Sequence, residues 1–207
     1  MEELLGKMLE NKYEKKYWKK KQYVMGIDEA GRGPLCGPLV VACCILPINY
    51  KNEMINDSKK LTEKARESLF KQIIKDAYYF DFRIVSPNEI DELDIYHATQ
   101  KAMQELSESS KVHMITLTDA MPIKKDNSID IIKGDAKSVS IAAASILAKV
   151  VRDHIMYGYD VLYPEYGYKN HKGYGTLKHL EMMDKYGLNK LYRMSYAPCR
   201  QRQLKLF

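Results

Sequence analysis

The stretch Tyr23-Val24-Met25-Gly26-Ile27-Asp28-Glu29-Ala30-Gly31-Arg32-Gly33-Pro34 decides how the rest of the chain is read. An apolar run of strand character ends in two adjacent carboxylates, and a glycine-rich turn carrying an arginine follows at once. Carboxylates at the end of a buried strand are costly unless neutralised, and a divalent cation is the usual partner. Glycines on either side of an arginine let the backbone approach a bulky ligand, and a guanidinium suits phosphate. The stretch therefore predicts a metal site at a strand end, facing a nucleic-acid backbone.

Outward from it, the Gly/Pro-rich turn 31–38 leads into an apolar second strand, Leu39–Leu46, as a hairpin partner. Tyr78–Val85, aromatic and β-branched, is a third strand. Val112–Leu117 is a fourth, running into Thr118-Asp119, and Ile129–Ile132 a short fifth, closed by Lys133-Gly134-Asp135. Thr62 reads as the N-cap of a helix to about Asp76. Pro87–Leu93 and Ile95–Leu106 are further helices. Ser138–Asp153 is a helix whose small, apolar middle, Ile141–Ala148, suits close packing on a sheet. A basic, aromatic, glycine-bearing loop at 163–174 precedes a helix over Gly175–Tyr186. Hairpins first and strand–helix alternation later predict an α/β fold, a central mixed sheet flanked by helices, with a C-terminal helical region. Residues 1–22 are rich in Lys and Glu, with Leu4, Leu5, Met8 and Leu9 at helical spacing, and read as a short amphipathic extension outside the core. Residues 23–198 then form one domain that includes the C-terminal helices, and 199–207 a flexible tail.

The 207 residues suffice for one full hydrophobic core, and 45% hydrophobic with 29% charged residues excludes a disordered chain. A balance of 33 basic to 27 acidic residues, +6, is mild support for a polyanionic partner. The four cysteines, Cys36, Cys43, Cys44 and Cys199, form no CxxC pair, and Cys43-Cys44 sits in an apolar run; reduced core residues are expected. No apolar segment approaches the roughly 18 residues of a membrane span, and the N-terminus lacks an apolar leader segment. The expectation is a soluble, monomeric cytoplasmic protein without membrane contact.

Three strand ends deliver Asp28, Glu29, Asp119 and Asp135, and the ends of neighbouring strands in an open α/β sheet converge. Four carboxylates with open positions suit Mg²⁺ or Mn²⁺, and no Cys/His set competes for zinc. Two such ions about 4 Å apart would clamp a phosphodiester displacement. The bland alternative, an acid that caps the following helix, fits Asp135 as well as the metal does, and fits the Asp28–Glu29 pair poorly.

Asp28-Glu29-Ala30-Gly31-Arg32-Gly33-Pro34, Asp57-Ser58-Lys59-Lys60-Leu61, Lys133-Gly134-Asp135, Ala143-Ala144-Ser145-Ile146-Leu147-Ala148-Lys149-Val150 and Lys172-Gly173-Tyr174-Gly175-Thr176 resemble, in order, the motif series of the type 2 ribonuclease H family. The resemblance spans residues 24 to about 198. With only about 22 residues before the first strand, it points to the HII branch rather than HIII, which carries a longer N-terminal domain. It implies a ribonuclease H-like fold and an endonuclease that hydrolyses the RNA strand of RNA–DNA hybrids. The same enzyme would incise 5′ of ribonucleotides embedded in duplex DNA, as in ribonucleotide excision repair. It implies two bound Mg²⁺ or Mn²⁺ ions on Asp28, Glu29, Asp119 and Asp135, with Asp28 bridging them, and products ending in a 3′-hydroxyl and a 5′-phosphate. Gly31-Arg32-Gly33 resembles the segment that surrounds the ribose 2′-hydroxyl, and Tyr174 the tyrosine that senses the step from ribonucleotide to deoxyribonucleotide. Ser145 and Lys149 fall in the substrate-side helix motif, and Lys60, beside Lys59, is placed to hold a phosphate. One departure stands out: Asp119 is followed by Ala120, where the family often has glycine.

Other residues get plainer readings. Arg152 and Asp153 are expected to form a structural ion pair, and His171 to sit exposed in its loop; His97, His113, His154 and His179 show no ligand spacing. Gln203-Leu204-Lys205-Leu206-Phe207 resembles the bacterial sliding-clamp-binding peptide, with Gln203, Leu204, Leu206 and Phe207 as its contacts. The competing reading for that tail is an apolar end folded onto the core. Two functions compete with the nuclease. A non-catalytic nucleic-acid-binding module has no use for four acids facing phosphates, and a metal-dependent phosphatase has none for the glycine turn and Tyr174.

Overall fold

The computed structural model describes residues 9, 11–55, 61–112 and 114–204. Five strands form one sheet: β1 (Tyr23–Ala30), β2 (Leu39–Ile45), β3 (Tyr79–Val85), β4 (Met114–Asp119) and β5 (Ser128–Ile131). Their order is β3-β2-β1-β4-β5; β2 and β3 run antiparallel to their neighbours, whereas β1, β4 and β5 are parallel. The helices are α1 (Lys12–Trp18), α2 (Glu63–Asp76), α3 (Pro87–Leu93), α4 (Ile95–Glu108), α5 (Val139–Leu162), α6 (Tyr168–His171), α7 (Leu177–Tyr186) and α8 (Ala197–Leu204). None of them is long and apolar enough to cross a membrane.

The period of two along β1 and β2 sorts the core into two layers. Val24, Val40, Ala42 and Cys44 face a cluster shared with α5, while Met25, Ile27, Val41 and Cys43 face one shared with α4. Both sheet faces are covered, which is why these strands read as unbroken apolar runs rather than as alternations. Helix α5 lies directly over β1. A Cβ on Gly26 would sit 2.1 Å from the Ser140 carbonyl carbon, so only glycine permits that approach. The alanine run of α5 presents the matching flat surface. A third cluster, around Leu35, Cys36, Met156, Tyr168 and Tyr192, fastens the C-terminal helices to the segment that follows the glycine turn.

Several expectations are corrected. The N-terminal helix does not lie outside the core: Trp18 packs in the α5-side cluster, and Glu14 is buried. The Glu14 carboxylate accepts from the Ser138 hydroxyl and from the Ser140 N–H at 3.1 Å, and the Asn11 side-chain oxygen accepts from the Val139 N–H at 3.1 Å. Helix α1 thus satisfies N–H groups that the first turn of α5 leaves open. Leu4, Leu5 and Met8, which suggested an outlying helix, lie outside the described residues. Helix α5 continues past Asp153 to Leu162, running on through Gly158, and the first proline comes only at Pro164. Most of the segment expected as a flexible tail is the helix α8, which buries Cys199 and pairs Arg202 with Asp184 at 2.9 Å.

Candidate active site

Because β1, β4 and β5 are parallel, their C-terminal ends emerge along one edge of the sheet. Asp28 comes from β1, Asp119 is the last residue of β4, and Asp135 sits in a 3-10 turn, Gly134–Ala136, just after β5. One carboxylate oxygen from each lies within 4.8 Å of the others. Asp28 and Asp135 are buried and Asp119 is half-buried. Backbone N–H groups orient two of them: Glu29 donates to Asp28 and Gly134 to Asp119, each at 2.7 Å. Asp135 does not cap α5. That role falls to Ser138, whose hydroxyl accepts from the Ile141 N–H at 3.1 Å.

Burial, followed by the charges of Glu29 and Asp119, raises the Asp28 carboxyl well above the usual carboxylate range; hydrogen bonds from Ser145 and the Glu29 backbone work the other way. Carboxylates converging at this depth repel one another, and a divalent cation among them removes the repulsion. The donor set is all oxygen, which fits Mg²⁺ or Mn²⁺ and not a thiolate-preferring metal. Glu29 lies outside the trio. It lines the same cleft, and its Oε1 stands 3.7 Å from Nη1 of Arg32. Neighbouring strand positions point to opposite faces, which separates Glu29 from Asp28.

A cleft of about 240 Å³ opens beside the trio and collects much of what the sequence singled out: the Gly31–Gly33 turn, Ser145, Lys149 and Tyr174. Ser145 and Lys149 project from successive turns of α5. The Lys149 ammonium donates to Asp153 at 2.8 Å, so the expected Arg152–Asp153 pair does not form. Arg152 instead turns inward, its Nε donating to the Pro38 carbonyl at 3.0 Å and its Nη2 to that of Cys36 at 3.3 Å. Tyr174 is 46% exposed, and its ring edge lies 3.5 Å from where a Cβ on Gly33 would be. The tyrosine and the glycine turn thus form adjoining walls.

Two buried arginines that no local pattern revealed hold that turn. Arg193 Nη2 donates to the Gly31 carbonyl at 2.7 Å, Nη1 to that of Arg32 at 3.0 Å, and Nε to that of Gly37 at 3.1 Å. The N–H of a trans peptide points opposite its C=O, so the Arg32 and Gly33 N–H groups are directed away from Arg193. Gly31 has φ 102°, and a Cβ there would lie 2.1 Å from Arg152 Nε. Burial lowers both guanidinium pKa values, that of Arg152 to about 10, which leaves it charged at neutral pH. Ala120, where glycine was noted as usual, has φ 51°. A left-handed alanine costs roughly 1–2 kcal/mol, so the departure is a strained one.

Remaining expectations divide. His171 is not an exposed loop residue: it is buried, with Nε2 2.9 Å from the Tyr166 carbonyl oxygen. All four cysteines are buried free thiols, and burial pushes that of Cys36 up to about 12. Gln203 and Leu204 end α8, with Leu204 exposed, whereas Lys59, Lys60, Lys205, Leu206 and Phe207 lie outside the described residues.

With this geometry in hand, the comparisons with known proteins agree with one another. Residues 25–199 match the family described as Ribonuclease HII. A ribonuclease HII of Listeria innocua is 45% identical over 205 residues, covering 97% of this chain and 78% of that protein. The crystal structure of ribonuclease H2 from Pyrococcus horikoshii superposes with a TM-score of 0.75 at 26% identity, over 89% of this chain and 98% of the other. The ribonuclease HII of Archaeoglobus fulgidus, solved as a complex with PCNA, gives 0.72 at 26% identity, over 84% and 95%.

Proposed function

The chain belongs to the ribonuclease HII family of ribonuclease H endonucleases, and on that footing we propose that it hydrolyses the RNA strand of RNA–DNA hybrids and incises 5′ of ribonucleotides embedded in duplex DNA. The observation that carries this reading is the cleft itself, in which Asp28, Glu29, Asp119, the Gly31–Gly33 turn and Tyr174 share one space, with Asp135 completing the acidic trio beside it. The reaction class needs the acids, and the choice of sugar needs the turn and the tyrosine. Bound to the trio, two Mg²⁺ or Mn²⁺ ions would supply an activated water and neutralise the charge growing on the phosphate.

The chain's own groups do the rest. Asp28, buried between the charges of Glu29 and Asp119, is the residue that would be shared by two ions, and Asp119, Asp135 and Glu29 would complete the ligand set. Ser145 keeps Asp28 oriented through its hydrogen bond. The N–H groups of the glycine turn, aimed by Arg193, offer rigid donors to a ribose 2′-hydroxyl, the one group that tells RNA from DNA at a given nucleotide. Tyr174 supplies a ring and a hydroxyl at the next sugar. Lys149 and Lys60 are phosphate contacts, Arg32 a further one. Displacement with the 3′ oxygen leaving gives a 3′-hydroxyl and a 5′-phosphate. The enzyme would work on chromosomal DNA in the cytoplasm during ribonucleotide excision repair. Residues 203–207 would meet the sliding clamp of that DNA, a role supported by the Archaeoglobus relative in complex with PCNA.

The test of the sugar-reading role is the rate ratio between a duplex with one embedded ribonucleotide and a long hybrid. Tyr174→Phe is expected to lower that ratio while leaving hybrid cleavage within a few-fold. An unchanged ratio contradicts the role of Tyr174.

A further inference from the structure

Tyr174 presents its ring from a backbone held on every side. The Gly173 N–H donates to His171 Nδ1 at 3.2 Å, and the Gly173 carbonyl accepts from the Leu35 N–H at 2.8 Å. The Tyr174 N–H donates to the His171 carbonyl at 2.9 Å; its own carbonyl accepts from the Thr176 N–H at 2.8 Å and lies 2.9 Å from His179 Nδ1. All four backbone polar groups of this dipeptide are engaged, two of them by imidazoles. The imidazoles stack on each other, centroids 4.1 Å apart and planes 16° from parallel, and both are buried.

The partners dictate both tautomers. A carbonyl can only accept, so His179 donates from Nδ1 and leaves Nε2 to accept from the Tyr192 hydroxyl at 3.0 Å. His171 is polarised the other way, donating from Nε2 to the Tyr166 carbonyl and accepting at Nδ1. Each ring is neutral in this pattern, and neither belongs to the carboxylate trio or lines the cleft. Both reach the cleft through the backbone that carries Tyr174.

We propose that His171 and His179 are positioning residues for ribonucleotide selection, two neutral imidazoles of opposite polarity that hold the backbone around Tyr174 so that its ring stays against the glycine turn. The inference rests on Tyr174 reading the sugar. Its signature is a change in preference between substrates rather than a general loss of rate, because the carboxylates and α5 are untouched.

The experiment measures kcat and KM on a duplex with one embedded ribonucleotide and on a long hybrid, for wild type, Tyr174→Phe, His179→Leu and His179→Asn. Asn places an amide donor where Nδ1 stands, and Leu places none. The preference for the embedded ribonucleotide is expected to fall on the order of tenfold in His179→Leu, the effect of one hydrogen bond lost. The fall should appear in kcat, with His179→Asn close to wild type. At His171 the Asn oxygen replaces the Nδ1 acceptor, and the Leu and Asn variants should show the same contrast. If circular dichroism shows His179→Leu unfolded, His179→Gln replaces it, since its amide is one bond too far out. Equal losses on both substrates, or an Asn variant no better than Leu or Gln, would overturn the proposal. Tyr174→Phe separates the two levels: a reduced preference there with none in His179→Leu overturns only the histidine role, and a wild-type preference there overturns the reading of Tyr174 and this inference with it.

Discussion

Asp28 shows how a site residue works against the fold that carries it. Its folded-state pKa is raised by burial and by the neighbouring charges of Glu29 and Asp119. The neutral acid therefore stabilises the folded protein at low pH, and that contribution is lost as the pH rises through the raised value. At pH 7 without metal the buried acid is a burden, because it must either ionise among its neighbours or keep a proton that the unfolded chain releases. Asp28→Asn is expected to abolish cleavage yet raise the melting temperature of EDTA-treated protein at pH 7, by roughly 2–4 °C for each kcal/mol of repulsion relieved. The gain should shrink on acidification, as the unfolded chain takes up the same proton. Calorimetry in EDTA at the two pH values checks this, and an unchanged midpoint at pH 7 contradicts it. The trio was legible in the sequence because each member follows a strand signal. Arg193 was not, since its acceptors on Gly31 and Gly37 lie more than 150 positions away in the chain and no local pattern announces them. His171 and His179 were missed for the same reason: stacking brings them together, and spacing does not.

At the scale of elements, apolar runs were enough where an element is long and the core decides it. β1, β2 and α5 are such elements, and the capping residues Thr62 and Ser138 begin their helices as their types suggest. Helix α1 is the counterexample. Trp18, with Tyr13 and Tyr17 beside it, packs on the core, and a buried Glu14 on the same helix makes sense only once the open N–H groups of α5 are seen beneath it. Those contacts sit three to five residues from Asp135, so α1 steadies the start of the helix that follows the turn carrying it. Glu14→Ala would leave the Ser140 N–H and the Ser138 hydroxyl buried without that acceptor. It is expected to cost about 2 kcal/mol of stability, read by urea denaturation. A cost below the error of that measurement would mean that α1 is not docked in solution.

For the whole molecule, one topological fact organises the rest: the three strands that deliver acids are the three that run parallel, so their ends share an edge. The glycine turn leaves that edge from β1, and the C-terminal cluster brings Arg193 and the Tyr174 loop around to meet it. Deleting residues 203–207 is expected to leave cleavage within twofold of wild type and to abolish binding to a bacterial sliding clamp in surface plasmon resonance; retained binding would assign clamp recognition elsewhere. The central claim is that the trio cuts at a ribonucleotide. Its most direct test is an end-labelled DNA duplex with one embedded ribonucleotide, incubated with Mg²⁺ and resolved on a denaturing gel. The predicted result is a single incision 5′ of the ribonucleotide, leaving a 3′-hydroxyl that a DNA polymerase extends, and lost in EDTA or in Asp28→Asn. No incision by the wild type, or incision that Asp28→Asn leaves undiminished, would contradict it.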